Sequence, residues 1–244
     1  MVLSCLEKEN PIINWTAGET AIMSKNSCYN QFKFSGLLCC FLLLLSLSEA
    51  FAQDNWKLVT KKEEITVYSQ EVPGSKIKAL RVECVVDVPL MQVAALLLDV
   101  EGGTDWVYKT KSCTMIRKVS PTEMYYHSEI DLPWPLDNRD FVAHVKASQN
   151  PVSKVITIEG PVVSGMVPEK KGIVRVSDSK GHWVVSPLSP GKSKIQYWLH
   201  TDPGGSIPAW AVNAFAAEGP IESFKKLKEQ VKLPKYRNVK FSFK

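Results

Sequence analysis

Apolar positions recur with a period of two through most of the chain. From Ile77 to Val88, Leu80, Val82, Cys84, Val86 and Val88 share one face, and Arg81, Glu83 and Asp87 share the other. This alternation predicts a strand buried on one side and wet on the other, as in an antiparallel sheet. Similar runs predict strands at 65–70, 113–119, 123–131, 139–148, 154–159, 172–178, 182–186 and 194–201. Turn clusters separate them, among them Pro73-Gly74, Ser120-Pro121, Asn150-Pro151 and Pro190-Gly191. Helical patterns are few. Leu90–Leu98 follows Pro89 and is rich in helix formers. From Ser206 to Lys232, Ile207, Trp210, Ala211, Ala214, Phe215, Ile221, Phe224, Leu227 and Val231 fall at helical spacing. Ser206 is the expected cap. Gly219-Pro220 predicts a kink, with two half-helices as the alternative. The expected domain is α+β: eight or nine antiparallel strands, a short helix after the second, and a long helix lying in the concavity of the curved sheet.

The first 52 residues read differently. Gly36–Leu47 is an apolar run of 12 residues, shorter than the ~20 that span a bilayer. Lys25 and Lys33 precede it, and Ala50-Phe51-Ala52 follows as an A-x-A cleavage site. Together these read as a secretory signal peptide over 23–52, with a secreted or periplasmic protein expected; a buried apolar helix or an uncleaved anchor is the alternative. Residues 1–22 are polar and place the apolar run too far from the start. Met23 is therefore the expected initiator, with a genuine extension as the alternative. Only Cys84 and Cys113 follow the leader, as one bridge or two buried thiols, and no Cys/His spacing suggests zinc.

The 244 residues are 45% apolar and 23% charged, ordinary values for a globular protein. The net charge of +5 is too mild for a diffusely basic nucleic-acid binder. The basic excess is concentrated at the end, where residues 225–244 hold eight Lys/Arg against Glu229. Beyond the domain at 53–232, residues 233–244 read as a basic tail able to meet anionic membranes.

Several ordered segments resemble the START domain family, the lipid-transfer domain related to the steroidogenic acute regulatory protein. Residues 133–142 (PWPLDNRDFV) resemble its turn and strand ending in R-D-F-V. Residues 168–175 (PEKKGIVR) resemble P-E-x-K-G-[VI]-x-R, and 205–213 (GSIPAWAVN) resemble the opening of its last helix. The resemblance covers roughly Trp56 to Val231. It implies a helix-grip fold, a sheet wrapped around a C-terminal helix with one lipid-like molecule in a hydrophobic cavity. It also implies a gating loop at 160–168, here carrying Val162, Val163 and Met166.

Strand parity then names the residues facing a ligand. They are Arg139, Phe141 and Val145; Met124, Tyr126 and Ser128; and Ile195, Tyr197 and Leu199. Trp210, Asn213 and Phe215 are expected to join them from the helix. Some sterol-binding members carry a buried acid–arginine pair, whose positions fall here on Ser128 and Val145, neither of them charged. An inward Arg139 needs partners. It is either a structural arginine at the rim, paired with an acid, or a contact to a ligand carboxylate or phosphate. The histidines are expected on the solvated face, and the chain carries no catalytic or metal motif. The expected protein is thus a cofactor-free, monomeric, non-enzymatic lipid binder or transfer protein. A cyclase- or hydrolase-like enzyme and a binder of small aromatic metabolites are the alternatives.

Overall fold

The computed structural model describes residues 55–243. The expected leader, its expected cleavage site and the choice between Met1 and Met23 lie outside them. Ten strands form one sheet: β1 (Lys57–Lys62), β2 (Ile65–Gln70), β3 (Ala79–Val86), β4 (Thr110–Ser120), β5 (Glu123–Ile130), β6 (Asn138–Gln149), β7 (Ile156–Pro161), β8 (Ile173–Arg175), β9 (Asp178–Ser189) and β10 (Lys192–Asp202). Their order is β1-β2-β3-β10-β9-β7-β6-β5-β4. All neighbours are antiparallel except β8, which pairs in parallel with the start of β6. β1 has no apolar alternation, which is why periodicity misses it. Its sequence KLVTKK is mostly exposed, and lysines on an edge strand discourage edge-to-edge pairing.

Helices cover the inner face. α1 (Leu90–Leu98) buries Val93 through Leu98, and a short α2 (Gly103–Trp106) follows it. The expected long helix is two: α3 (Ala209–Phe215) and α4 (Glu218–Gln230). The break falls at Ala216–Ala217, just before Gly219-Pro220. Pro220 thereby occupies the first turn of α4, where its missing N–H costs nothing. Ser206 does not cap α3; Pro208 is its N-cap residue, without a side-chain bond. α4 presses Ile221, Phe224 and Leu227 onto the sheet, whereas α3 buries no residue.

Residues 233–243 are not a trailing tail. Tyr236 is buried in a 3-10 turn (Pro234–Tyr236), its hydroxyl donating to Asp99 at 2.8 Å. Val239, Phe241 and Phe243 pack on the core. Part of the basic excess of this end is offset in space. Lys225 pairs with Glu63 (2.9 Å) and Glu222, Lys232 with Glu229 (3.0 Å), and Lys235 with Asp99 (3.1 Å). Lys228 lies 3.5 Å from Glu64. No helix among the described residues is long and apolar enough to cross a membrane.

Candidate functional site

A cavity of about 290 Å³ opens between the sheet (β4, β5, β6, β7, β9, β10), the α1–α2 corner and the first two turns of α4. Parity along three strands delivers its floor: Tyr126, Phe141, Val145, Tyr197 and Leu199 all line it. The remaining wall is aromatic. Trp183 stacks on Tyr197 (3.8 Å between centroids, 17°) and on Phe224 of α4 (5.7 Å, 13°). Trp106 meets Trp183 edge-on at 6.1 Å, and Tyr126 meets Phe141 in the same way at 5.8 Å. Such contacts hold the rings in fixed orientations.

Polar groups on this wall are few. The hydroxyls of Tyr126 and Tyr197 have no hydrogen-bond partner among the described residues. Burial pushes both phenols well above their ordinary range, so they stay protonated and able to donate. The thiol of Cys113 donates to Ser128 Oγ at 3.4 Å, and burial raises its pKa. Cys84 is also a free thiol, pushed up to about 12 by burial in the core. Two acids stand at the margin, both engaged. Glu159 Oε1 lies 2.7 Å from His182 Nδ1. Asp99 accepts from Tyr236, Lys235 and the Gly102 N–H; burial opposes its ionisation, but these bonds hold its carboxyl below the usual range. Among the described residues no cluster of His, Cys, Asp and Glu could hold a metal.

The other expected site residues lie elsewhere. Met124 points inward but is sealed beside Tyr236, Val239 and Phe241 in a separate hollow. Ser128 is buried behind Cys113. Ile195 is fully buried in the core. Trp210 and Phe215 are 73% and 69% exposed, because the break at Ala216–Ala217 ends the packed helix before reaching them. Asn213 faces the β2–β3 loop instead, accepting from Lys78 N (3.0 Å) and donating to Lys76 O (2.9 Å).

Arg139 has neither an acid nor the cavity as its partner. Its guanidinium donates to three backbone carbonyls: Pro203 (3.2 Å), Gly204 (3.1 Å) and Asp137. It therefore fastens the turn that leads into α3 to the start of β6. Gly205 turns there with φ +69°, a conformation that favours glycine, and a Cβ on it would come within 2.9 Å of Arg139 Nη2.

The loop at 160–168 is fastened as well. Val162 bridges Ala143 and donates to Ser179 O, and Val163 donates to Val142 O at 2.8 Å. These two residues extend the sheet along β6, because backbone groups beside a strand find their partners there. They do not line the cavity, nor does Met166, which is half-buried. Behind the loop, Arg175 donates to both oxygens of Asp140 (2.7 and 2.9 Å) and to the carbonyls of Val167 and Pro168. His127 Nε2 reaches the same carboxylate at 2.9 Å. His127 is thus on the outward face, as parity requires, but buried under the loop rather than solvated. The other histidines are partnered too: His144 with Glu123, His182 with Glu159 and His200 with Ser75.

Sequence reasoning missed Trp106, Trp183, Gly160 and Gly181. Parity with Val185 would have placed Trp183 and Gly181 inward. Trp106 lies in a stretch without periodicity.

Comparison with known proteins gives a consistent picture. The START domain model matches residues 42–237. An uncharacterised protein of Pseudomonas aeruginosa is 32% identical over 185 residues, covering 73% of this chain and 87% of that protein. The mouse phosphatidylcholine transfer protein is 25% identical over 183 residues, covering 73% of this chain and 83% of its own. Among solved structures, a STAR-related lipid transfer protein fragment from Xanthomonas axonopodis is 30% identical with a TM-score of 0.69, over 74% of this chain and all of that one. The sheet gripping its C-terminal helix, the apolar cavity between them and the match over most of the sequence agree: this chain belongs to the START domain family.

Proposed function

We propose that the protein binds a single hydrophobic, lipid-like molecule in this cavity and carries it outside the cytoplasm, without chemical conversion. The observation that carries this reading is the cavity wall. It is aromatic and aliphatic, its interior hydroxyls are neutral donors, and its marginal acids are occupied by other partners. Each 100 Å² of apolar ligand surface buried there contributes about 2.5 kcal/mol. A few neutral donors orient a head group without charging the site. Such a wall offers no unpaired base or nucleophile with a lowered pKa, which supports carriage over catalysis. The apolar run and A-x-A sequence before residue 53 support export.

Transfer requires contact with a membrane, which exposed Lys226 and Lys240 of the basic C-terminal end and the apolar α3 both suit. Residues 203–217 carry no charge, and Trp210 and Phe215 stand in solvent. Exposed Lys76 and Lys78 border the helix through the Asn213 tether. Apolar side chains beside cations suit an anionic lipid surface.

Native mass spectrometry of the purified protein, before and after organic extraction, tests the binding function. A species heavier by one lipid-like mass, lost on extraction, is the expected result. A bare protein that also takes up no apolar ligand from vesicles refutes it.

A further inference from the structure

A packed domain has a cavity only where side chains are missing. Across four strands, one inward row of this sheet runs Leu199, Gly181, Gly160 and Val145. Its two middle members are glycines paired directly across β7 and β9. Backbone geometry does not require them, since neither has a positive φ, and glycine inside a strand weakens it. Space does not require Gly160 either, because a Cβ there would meet nothing closer than 3.8 Å. A Cβ on Gly181 would approach the Tyr197 hydroxyl at 3.1 Å, the far end of a side chain. What the pair provides is a strip of bare backbone on the cavity floor, beside the Trp183–Tyr197 stack.

Resting on the cavity-binding function proposed above, we infer that the Gly160–Gly181 pair determines which lipid is taken. The bare strip receives the flat face of a rigid, ring-bearing lipid whose one neutral polar group meets the Tyr126 and Tyr197 hydroxyls. Three observations support this. The cavity, at about 290 Å³, lies at the lower end of the roughly 300–1,000 Å³ usual for small-molecule sites. Two acyl chains with a phosphate head demand more of that space than one fused-ring body does. The walls are flat rings held in fixed orientations, and a rigid ligand loses less conformational freedom against them than a flexible chain does. The unpartnered donors on the wall are neutral: the phenols of Tyr126 and Tyr197. A charged head buried against them would lack a counter-charge.

Binding is measured by fluorescence with three probes: dehydroergosterol, a pyrene-labelled phosphatidylcholine and a pyrene-labelled fatty acid. The wild type should bind dehydroergosterol at least about tenfold more tightly than the phosphatidylcholine. Gly160→Val projects two methyl groups over the strip. It should weaken dehydroergosterol by at least about tenfold, given the cost of overfilling a packed space. Gly160→Ala, which fits without a clash, should weaken it less, and both variants should keep the wild-type thermal midpoint. If Gly160→Val unfolds, the graded loss in Gly160→Ala and the probe preference of the wild type decide. A preference for either chain lipid, or ring binding unchanged in the folded glycine variants, overturns the inference while leaving carriage intact. Binding of none of the probes overturns both.

Discussion

Asp140 shows how much one residue can organise. Its carboxylate, almost fully buried, takes two hydrogen bonds from Arg175 and one contact from His127. The Arg175 bonds hold its pKa below the usual carboxylate range against the opposing effect of burial, and His127 adds to them. A depressed folded pKa means that the unfolded chain binds the proton first as pH falls. The carboxylate's stabilisation is therefore complete above the unfolded value near 3.9 and is lost as pH drops through the lower folded value. Asp140→Asn should cost about 1.5–3 kcal/mol at neutral pH, because half-buried Arg175 loses its anion but keeps the carbonyls of Val167 and Pro168. It should also flatten the fall in thermal midpoint between roughly pH 5 and pH 2. Thermal melts of both proteins across that range check this, and parallel curves would exclude the role. At this scale the sequence was only half legible. Alternation placed Phe141, Val145, Tyr126, Tyr197 and Leu199 on the cavity floor, because a sheet with one buried face fixes side-chain direction. It could not foresee that Arg139 would spend its donors on the carbonyls of Pro203 and Gly204, since those partners come from a turn about 65 residues away. Nor could it show that the R-D and P-E-K-K-G-I-V-R segments are joined by the Asp140–Arg175 pair, because β8 reaches β6 by a parallel pairing that alternation does not encode.

Among the elements, α3 is the least constrained by packing. Its sequence AWAVNAF looks like the start of a core helix, and periodicity alone joins it to α4. The join fails because Pro220 is accommodated best in a first turn, so a new helix begins at Glu218 and α3 is free to leave the core. What remains is a helix with Trp210 and Phe215 in solvent, held by Asn213 at one face and by the Arg139-bound turn at its start. Replacing both aromatics by serine should leave the thermal midpoint unchanged, since neither side chain is buried. Sedimentation with anionic vesicles should fall by about tenfold or more, given the ~1.5–3 kcal/mol that each large apolar side chain gains on full burial. Undiminished sedimentation of the double variant would place the membrane contact on another surface. The strand pattern was the most legible part of the molecule. The edge strand β1 escaped because it is lysine-rich and has no buried face to leave a periodic trace.

At the scale of the whole molecule, a curved sheet, an α1–α2 corner and the first two turns of α4 meet around one aromatic hollow. The cavity itself was not written in any single segment. Two glycines on neighbouring strands coincide in one inward row of its floor, and Trp106 joins its wall from the helical corner. A photoreactive lipid mapped by peptide mass spectrometry tests the resulting claim directly, because it reports where a bound molecule lies. Irradiation of the loaded protein should label Tyr126, Phe141, Trp183 and Tyr197, and excess unlabelled ligand should suppress that labelling. Adducts confined to outward positions such as Trp210 and Phe215, with the interior rings unlabelled, would contradict the account.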